Sequence, residues 1–416
     1  MDDTTGGAGG NPHLKTRRFC LLAAFRKAVA TWTLRSGSSE LTQHNNVSAA
    51  RDFKFAVLLD PNDYVARDYY AVALLRQKKF AEAIRELRTE IRLHPSSTYG
   101  HYNLAEALHD EGKADQAIAE WRLSIQYGGR SSPAYTALAW ALIHTHKYVE
   151  ADAVAQQAVR YMPDDYVAYE ALGCAYLRQG NLQNGIAAYR EALNIEPENA
   201  ELHQRFAYNL RNAHQLDGAI VEYGEAIRHD ATHAPYHRYL AYALYLRGDY
   251  SRSLVEAQQA LQLDPKSPSV HNSIGYELFM LHQPEAALKE LRLALTIDPK
   301  DAPAHDNLGC VLFFQGKLDQ AQQEYLLAIQ IEPNTAILHA DLGELLARKG
   351  DTKAALAEYQ TALKSPPDDP MVYKCCGYIL YKTGQKAKAR QMWRKAITPD
   401  AADAAQQSRE YLAKYP

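Results

Sequence analysis

The sequence predicts an all-α chain: an α-solenoid of about ten to eleven stacked helix-turn-helix repeats of 34 residues, closed by a C-terminal cap helix. Three observations carry this. Prolines return on a fixed beat, at Pro61, Pro95, Pro163, Pro197, Pro265, Pro299, Pro333 and Pro367, with every gap 34 or 68. Small residues recur at two further phases of that beat. Between them, apolar residues are spaced by three and four, the period of a helix that buries one face. A chain of 416 residues would otherwise suggest two or three globular domains. A fixed period takes precedence over that count.

Number the unit so that the prolines fall at position 32. Position 8 then reads Gly37, Ala71, Ala105, Ala139, Gly173, Ala207, Ala241, Gly275, Gly309, Gly343 and Gly377. Position 20 reads Ala49, Ala83, Ala117, Ala151, Gly185, Ala219, Ser253, Ala287, Ala321, Ala355 and Ala389. Position 27 is alanine except at Glu90 and Ser124. Glycine and alanine together make up roughly 15% of average usage, so composition alone does not produce such columns. Helix contact does. Two helices approach to about 8 Å only where small side chains meet. Large residues at position 24, such as Trp121, Tyr189, Tyr223, Tyr325 and Trp393, fill the space beside them.

The elements of each unit follow. Positions 1–14 form a first helix; in DNLGCVLFF, Leu308, Val311 and Leu312 share one face. Gly112, Gly180, Gly248, Gly316, Gly350 and Gly384 end it as left-handed caps. Positions 18–31 form a second helix, which the proline stops before the next unit.

Along the chain, residues 1–29 form a disordered, then basic amphipathic segment: Gly-rich to residue 14, then Lys15, Arg17, Arg18, Arg26 and Lys27 with no acid. Its apolar run Phe19–Phe25 is far too short to span a bilayer. Residues 30–63 read as a degenerate repeat, with Gly37, Ala49, Phe53, Ala56 and Pro61 in phase but Ser36 and Glu40 where apolar residues belong. Residues 64–401 hold ten regular repeats. Residues 402–416 are the cap helix, which an array needs at its open end.

A net charge of −3 argues against a broad footprint for nucleic acid, and none is expected as partner. Five cysteines, Cys20, Cys174, Cys310, Cys375 and Cys376, show no zinc spacing and fit a reducing compartment. No phosphate loop follows a strand, and no HExxH or nucleophile elbow is present. Catalytic residues, cofactor and metal are all expected to be absent. Histidine fills position 4 in six units: His101, His203, His237, His271, His305 and His339. Neighbouring first helices lie about 10 Å apart, too far for two ligands at about 2.1 Å from one zinc. These histidines are expected to pack the top of each helix pair.

The columns at positions 8, 20, 24, 27 and 32 resemble those of the tetratricopeptide repeat family, from residue 64 to about residue 401. The resemblance implies a right-handed superhelix whose first helices line a concave face. It also implies a fold that rarely does chemistry and presents a groove to a protein partner. In related repeats, positions 2, 5, 9, 12 and 13 face that groove. Here they supply aromatic candidates Trp140, Tyr208, Tyr242, Tyr245, Tyr276, Phe279, Phe313 and Phe314, and polar candidates Arg238, Asn272 and Asp306. Rigid rings give large contact area at low entropic cost. The carboxylate clamp of chaperone-tail binders is not found: only Lys374 fits at position 5, and no unit has Asn at position 9. The asparagine ladder of the sugar-transferring relatives is also not found, since position 6 reads Asn103, Ala137, Ala171, Arg205, Tyr239, Ser273, Asn307, Asp341 and Cys375.

The functional expectation is a non-enzymatic scaffold, cytoplasmic, binding a peptide or helix of a protein partner in its aromatic groove. The alternative is an envelope-associated assembly or export factor, exported or membrane-associated through residues 15–35, where membrane contact would be confined.

Overall fold

The computed structural model describes residues 45–131, 133–364, 370–397 and 402–415. The expected N-terminal segment 1–29, the first helix of the degenerate repeat and Pro367 lie outside the described residues. The chain divides into two compact units, Met1–Leu202 and His203–Pro416. Among the described residues there are 22 α-helices, one short 3₁₀ turn at Gly129–Ser131, and no strand. The fold is an all-α repeat solenoid. No helix of the described residues is long and apolar enough to cross a membrane.

The first unit opens on Asn46–Leu59, the second helix of the degenerate repeat, with Ala49, Phe53 and Ala56 buried. Helix pairs follow: Tyr64–Arg76 with Phe80–Leu93, Thr98–Asp110 with Ala114–Gly128, Ala134–His144 with Tyr148–Tyr161, and Tyr166–Arg178 with Leu182–Ile195. The second unit runs through Ala200–Asn212 (from His203 on), Leu216–His229, Ala234–Leu246, Tyr250–Leu263, Pro268–Met280 and Pro284–Ile297. It continues through Ala302–Phe314, Leu318–Ile331, Ala336–Lys349, Thr352–Ala362, Pro370–Lys382 and Lys386–Lys395 to the cap helix Ala402–Lys414. That cap sets Tyr411 and Tyr415 against Trp393, at 5.3 and 6.1 Å between rings, and buries Ala404 and Ala405.

The small-residue columns act by close approach. A Cβ at Gly309 would stand 2.8 Å from the Tyr325 ring and 3.3 Å from the Ala321 carbonyl oxygen. At Gly377 it would stand 2.5 Å from Trp393 Nε1, and at Gly173 2.6 Å from the Tyr189 ring. Position 8 therefore faces positions 20 and 24 of its own unit, and Trp121, Trp393, Tyr189 and Tyr223 are shut away from water.

The turn between paired helices is left-handed in every regular unit, and glycine is not always what makes it so. The six predicted cap glycines have φ between 77° and 90°. Lys78, His146, His214 and His282 take φ of 59° or 60° at the same phase. This last set closes the helix end with the same bonds as the glycines do: Gln215 N–H donates to the Leu210 carbonyl at 2.9 Å and His214 N–H to that of Arg211 at 3.0 Å, as Lys113 and Gly112 do to Leu108 and His109.

The position-4 histidines are buried, each meets a glutamate 19 residues on, and three of them also meet the carbonyl of the preceding turn. His101 Nδ1 lies 2.7 Å from Glu120, 19 residues on, and Nε2 lies 3.1 Å from the Pro95 carbonyl. The same pair of bonds is made by His305 with Glu324 and Pro299 (2.6 and 3.2 Å), and by His339 with Glu358 and Pro333 (2.6 and 3.0 Å). His203, His237 and His271 meet Glu222, Glu256 and Glu290. Arg67 fills the slot in its own unit, pairing with Glu86 and donating to the Pro61 carbonyl. Each basic group ties a first helix to its second helix, and Arg67, His101, His305 and His339 tie it to the preceding turn as well. At His101 both ring nitrogens face acceptors, which the charged imidazolium satisfies together. For His101, burial disfavours the charge, but Glu120 and the Pro95 carbonyl outweigh it and raise the pKa.

Candidate binding surface

The aromatic residues at positions 9, 12 and 13 of the second unit touch in sequence. Tyr242 and Tyr245 lie 6.1 Å apart between rings, and Tyr245 meets Tyr276 edge-on at 5.4 Å. Tyr276 reaches Phe279 at 6.2 Å, Phe279 reaches Phe314 at 5.3 Å, and Phe314 meets Phe313 at 5.5 Å. Both ends carry a cation. The Arg211 guanidinium sits 4.8 Å from the Tyr208 ring and 5.2 Å from that of Tyr242, while Arg348 sits 4.8 Å from Phe313. The ribbon exists because one helical phase repeats every 34 residues, so equivalent side chains on successive first helices are neighbours.

Exposure divides the ribbon. Tyr208, Tyr242 and Phe314 are 39%, 46% and 64% exposed. Tyr245, Tyr276 and Phe279 are half-buried. Phe313 was expected to be an open groove residue, but only 6% of it is exposed and it packs into the core with Val311 and Leu312. Its phase on Ala302–Phe314 turns it inward, and the adjacent Phe314 takes the outward place. Trp140 lies in the first unit, on Ala134–His144, with its ring 6.0 Å from that of His144.

Three hollows line the ribbon. One of about 400 Å³ is walled by Tyr242, Tyr245, Tyr276, Asn272 and Asp306. A second, about 460 Å³, is apolar and bounded by Phe279, Met280, Val311 and Phe314. A third, about 520 Å³, lies among Phe313, Arg348, Lys374, Tyr378 and Tyr411. The polar candidates join this wall in a regular way. Asn307 donates to Asn272 at 2.8 Å, and Asp341 is hydrogen-bonded to Asp306. Asn103 donates to Asp68 at 2.7 Å in the first unit. Position 6 thus reaches back 35 residues to position 5 of the preceding unit. Arg238 instead lies over Tyr239, at 4.8 Å.

Burial raises the acids of the wall: Asp306 is pushed up, and Glu277, bonded by Ser253, is pushed up to about 7. Arg211, Arg348, Glu277 and Asp341 belong to this surface and were not among the sequence candidates. The spacing of 35 between Asp306 and Asp341 was the signal available for one of them. Nothing local marks Glu277, whose place depends on the turn of its helix.

Family models described as tetratricopeptide repeat match residues 34–98, 71–133, 205–269 and 307–370, and a second such model matches residues 166–199. Together they span more than half of the chain. Among solved structures, the chain is similar to yeast Tom70, at 11% identity and a TM-score of 0.52, covering 94% of this chain and 96% of that one. It is also similar to a tetratricopeptide repeat protein from Parabacteroides merdae, at 17% identity and a TM-score of 0.50, covering 60% of this chain and 97% of that one. These likenesses concern the fold. No curated protein matches the sequence.

Proposed function

The chain belongs to the tetratricopeptide repeat family, a family of protein-interaction scaffolds, and on that premise we propose that the aromatic ribbon of its second unit grips a segment of a partner protein. One observation carries this reading: the unbroken contact from Tyr242 to Phe314, flanked by Arg211 and Arg348, with solvent-open rings at Tyr208, Tyr242 and Phe314. Single exposed apolar residues are ordinary on a protein surface, whereas a connected row is not. A row of this length suits an extended or helical segment, which buries one side chain per hollow. The scaffold does no chemistry of its own in this reading; its hollows select side chains.

The test is recovery of partner by crosslinking pull-down from the native host, with the wild-type chain against Tyr208→Ala/Phe279→Ala/Phe314→Ala. All three rings are open or half-open, so the variant keeps the helix-pair cores. Loss of the partners recovered by the wild type supports the reading, and unchanged recovery at equal helical content defeats it. The triple variant omits Phe313, whose loss would disturb the core instead.

A further inference from the structure

One hollow of the ribbon carries a specific chemistry. Its wall holds the rings of Tyr242, Tyr245 and Tyr276 and the carboxyls of Glu277, Asp306 and Asp341, and no lysine, arginine or histidine lines it. Tyr245 and Tyr276 meet at 83°, giving two ring walls close to a right angle. Glu277 is only 2% exposed; one of its oxygens accepts from the Ser253 hydroxyl and the other, Oε2, has no hydrogen-bond partner. Asp306 Oδ1 is likewise covered and without a partner. A buried acceptor left without a donor is costly, so two of them in one pocket mark a place where N–H groups are wanted.

The donors should be cationic. Three carboxyls line the same hollow, and beside two of them burial first, then Asp341, Asp306 and Glu344, pushes the Cys310 thiol up to about 12. A metal ion does not fit, because no cluster of His, Cys, Asp or Glu among the described residues is arranged to hold one. Ring faces and carboxyls together suit an organic cation, which stacks on the first and donates to the second. The volume of about 400 Å³ admits a long side chain.

We propose that this hollow takes a basic side chain, an arginine or lysine projecting from the partner segment, between the Tyr242, Tyr245 and Tyr276 rings and the Glu277, Asp306 and Asp341 carboxyls; the partner half of this statement rests on the groove reading above. The side chain is the register mark of the interaction. It fixes which residue of the segment sits over the second unit, while the neighbouring apolar hollow takes what flanks it. The amides of Asn272 and Asn307, bonded to each other at the rim, hold the two first helices at the spacing the cation needs.

Calorimetric titration of the full chain tests this with three probes: N-acetyl-arginine methylamide, N-acetyl-lysine methylamide and the neutral N-acetyl-norleucine methylamide. Saturable binding of one basic probe is expected, at least about tenfold tighter than norleucine, and Asp306→Asn/Asp341→Asn should weaken it about tenfold or more. If that variant loses helical content, Glu277→Gln serves in its place with the same expectation. The two basic probes separate a guanidinium from an ammonium pocket. No saturable binding, equal binding of norleucine, or unchanged affinity in the folded carboxyl variant overturns the proposal. Tyr208→Ala/Phe279→Ala/Phe314→Ala leaves the hollow intact and should bind the basic probe as the wild type does. Loss of partner in that variant without any probe binding to the wild type sinks the cation pocket alone. Probe binding with unchanged partner recovery sinks the groove alone.

Discussion

Replacing Glu90 by alanine together with Gly100 by alanine should stabilise the first unit, and more so as pH rises. Position 27 is alanine elsewhere, with Ser124 the other exception, and it faces position 3 of the next unit, as Ala158 packs with Ala168 and Ala328 with Leu338. Glu90 breaks that column while only 1% exposed, and its Oε2 has no hydrogen-bond partner. Gly100 is what makes room, since a Cβ there would stand 1.9 Å from the Glu90 carboxyl. Burial raises the Glu90 carboxyl to about 7, opposed by Ser97, with Asp68 raising it further and His101 lowering it. A carboxyl raised in the folded state charges no penalty below its ordinary value of about 4.5, and its contribution is lost as pH climbs through 7. From 4.5 to 7 that loss is about 3 kcal/mol. Against that gain stand the lost Cγ methylene and the space the carboxyl vacates, together about 1.5 kcal/mol, while the added Gly100 methyl with its helix propensity returns about 1 kcal/mol. The double variant should therefore gain about 2 kcal/mol at pH 8 and within about 1 kcal/mol of nothing near pH 4.5. Amide exchange of helices Phe80–Leu93 and Thr98–Asp110, compared with wild type at each pH, reads this as about 30-fold slower opening at pH 8. A gain of the same size at both pH values, or a loss at pH 8, would refute the assignment of the penalty to the Glu90 charge.

Two further outcomes follow from the repeated clamps and turns. Glu120→Gln should lower the His101 titration toward that of a free imidazole, seen by NMR of its ring protons. It should cost about 1–2 kcal/mol near pH 6 and less at pH 8.5, because a raised histidine contributes fully below its unfolded value and loses that contribution as pH rises through the folded one. A His101 titration unmoved by the change would remove Glu120 from the account. His214→Gly, at φ 59°, should raise the urea midpoint by relieving left-handed strain of about 1–2 kcal/mol against a backbone-entropy cost of roughly 0.5–1 kcal/mol. A lower midpoint would mean that the His214 side chain contributes more than its backbone costs.

Much of this arrangement was legible at the level of columns. The small residues at positions 8 and 20 announced the close approach that a Cβ at Gly309 or Gly377 would block. The aromatic residues Tyr242, Tyr276 and Phe279 shared a helical phase in the sequence, and in the structure the rings of Tyr242, Tyr245, Tyr276 and Phe279 touch in turn. Phase was less reliable at its edges. Phe313 and Phe314 are adjacent, and only the rotation of Ala302–Phe314 against its neighbours sends the first inward and the second out. The histidine column was visible, but its carboxylate partners were not, because a spacing of 19 crosses from one helix to the next and matches no helical period. The left-handed turns at Lys78, His146, His214 and His282 were hidden for a different reason: the same helix-closing bonds form there without the glycine that signals them.

Periodicity by itself determined the repeat length, the helix pairs, the phase of the buried seam and the face that carries the rings. Those are local properties, set by which side chains return every 34 residues and how small they are. Tertiary structure alone decided what each polar group meets: Glu120 against His101, Asp341 against Asp306, Ser253 against Glu277. Such meetings depend on the angle and offset between neighbouring helices. An error of one residue in that offset rotates a side chain by about 100° and changes its partner.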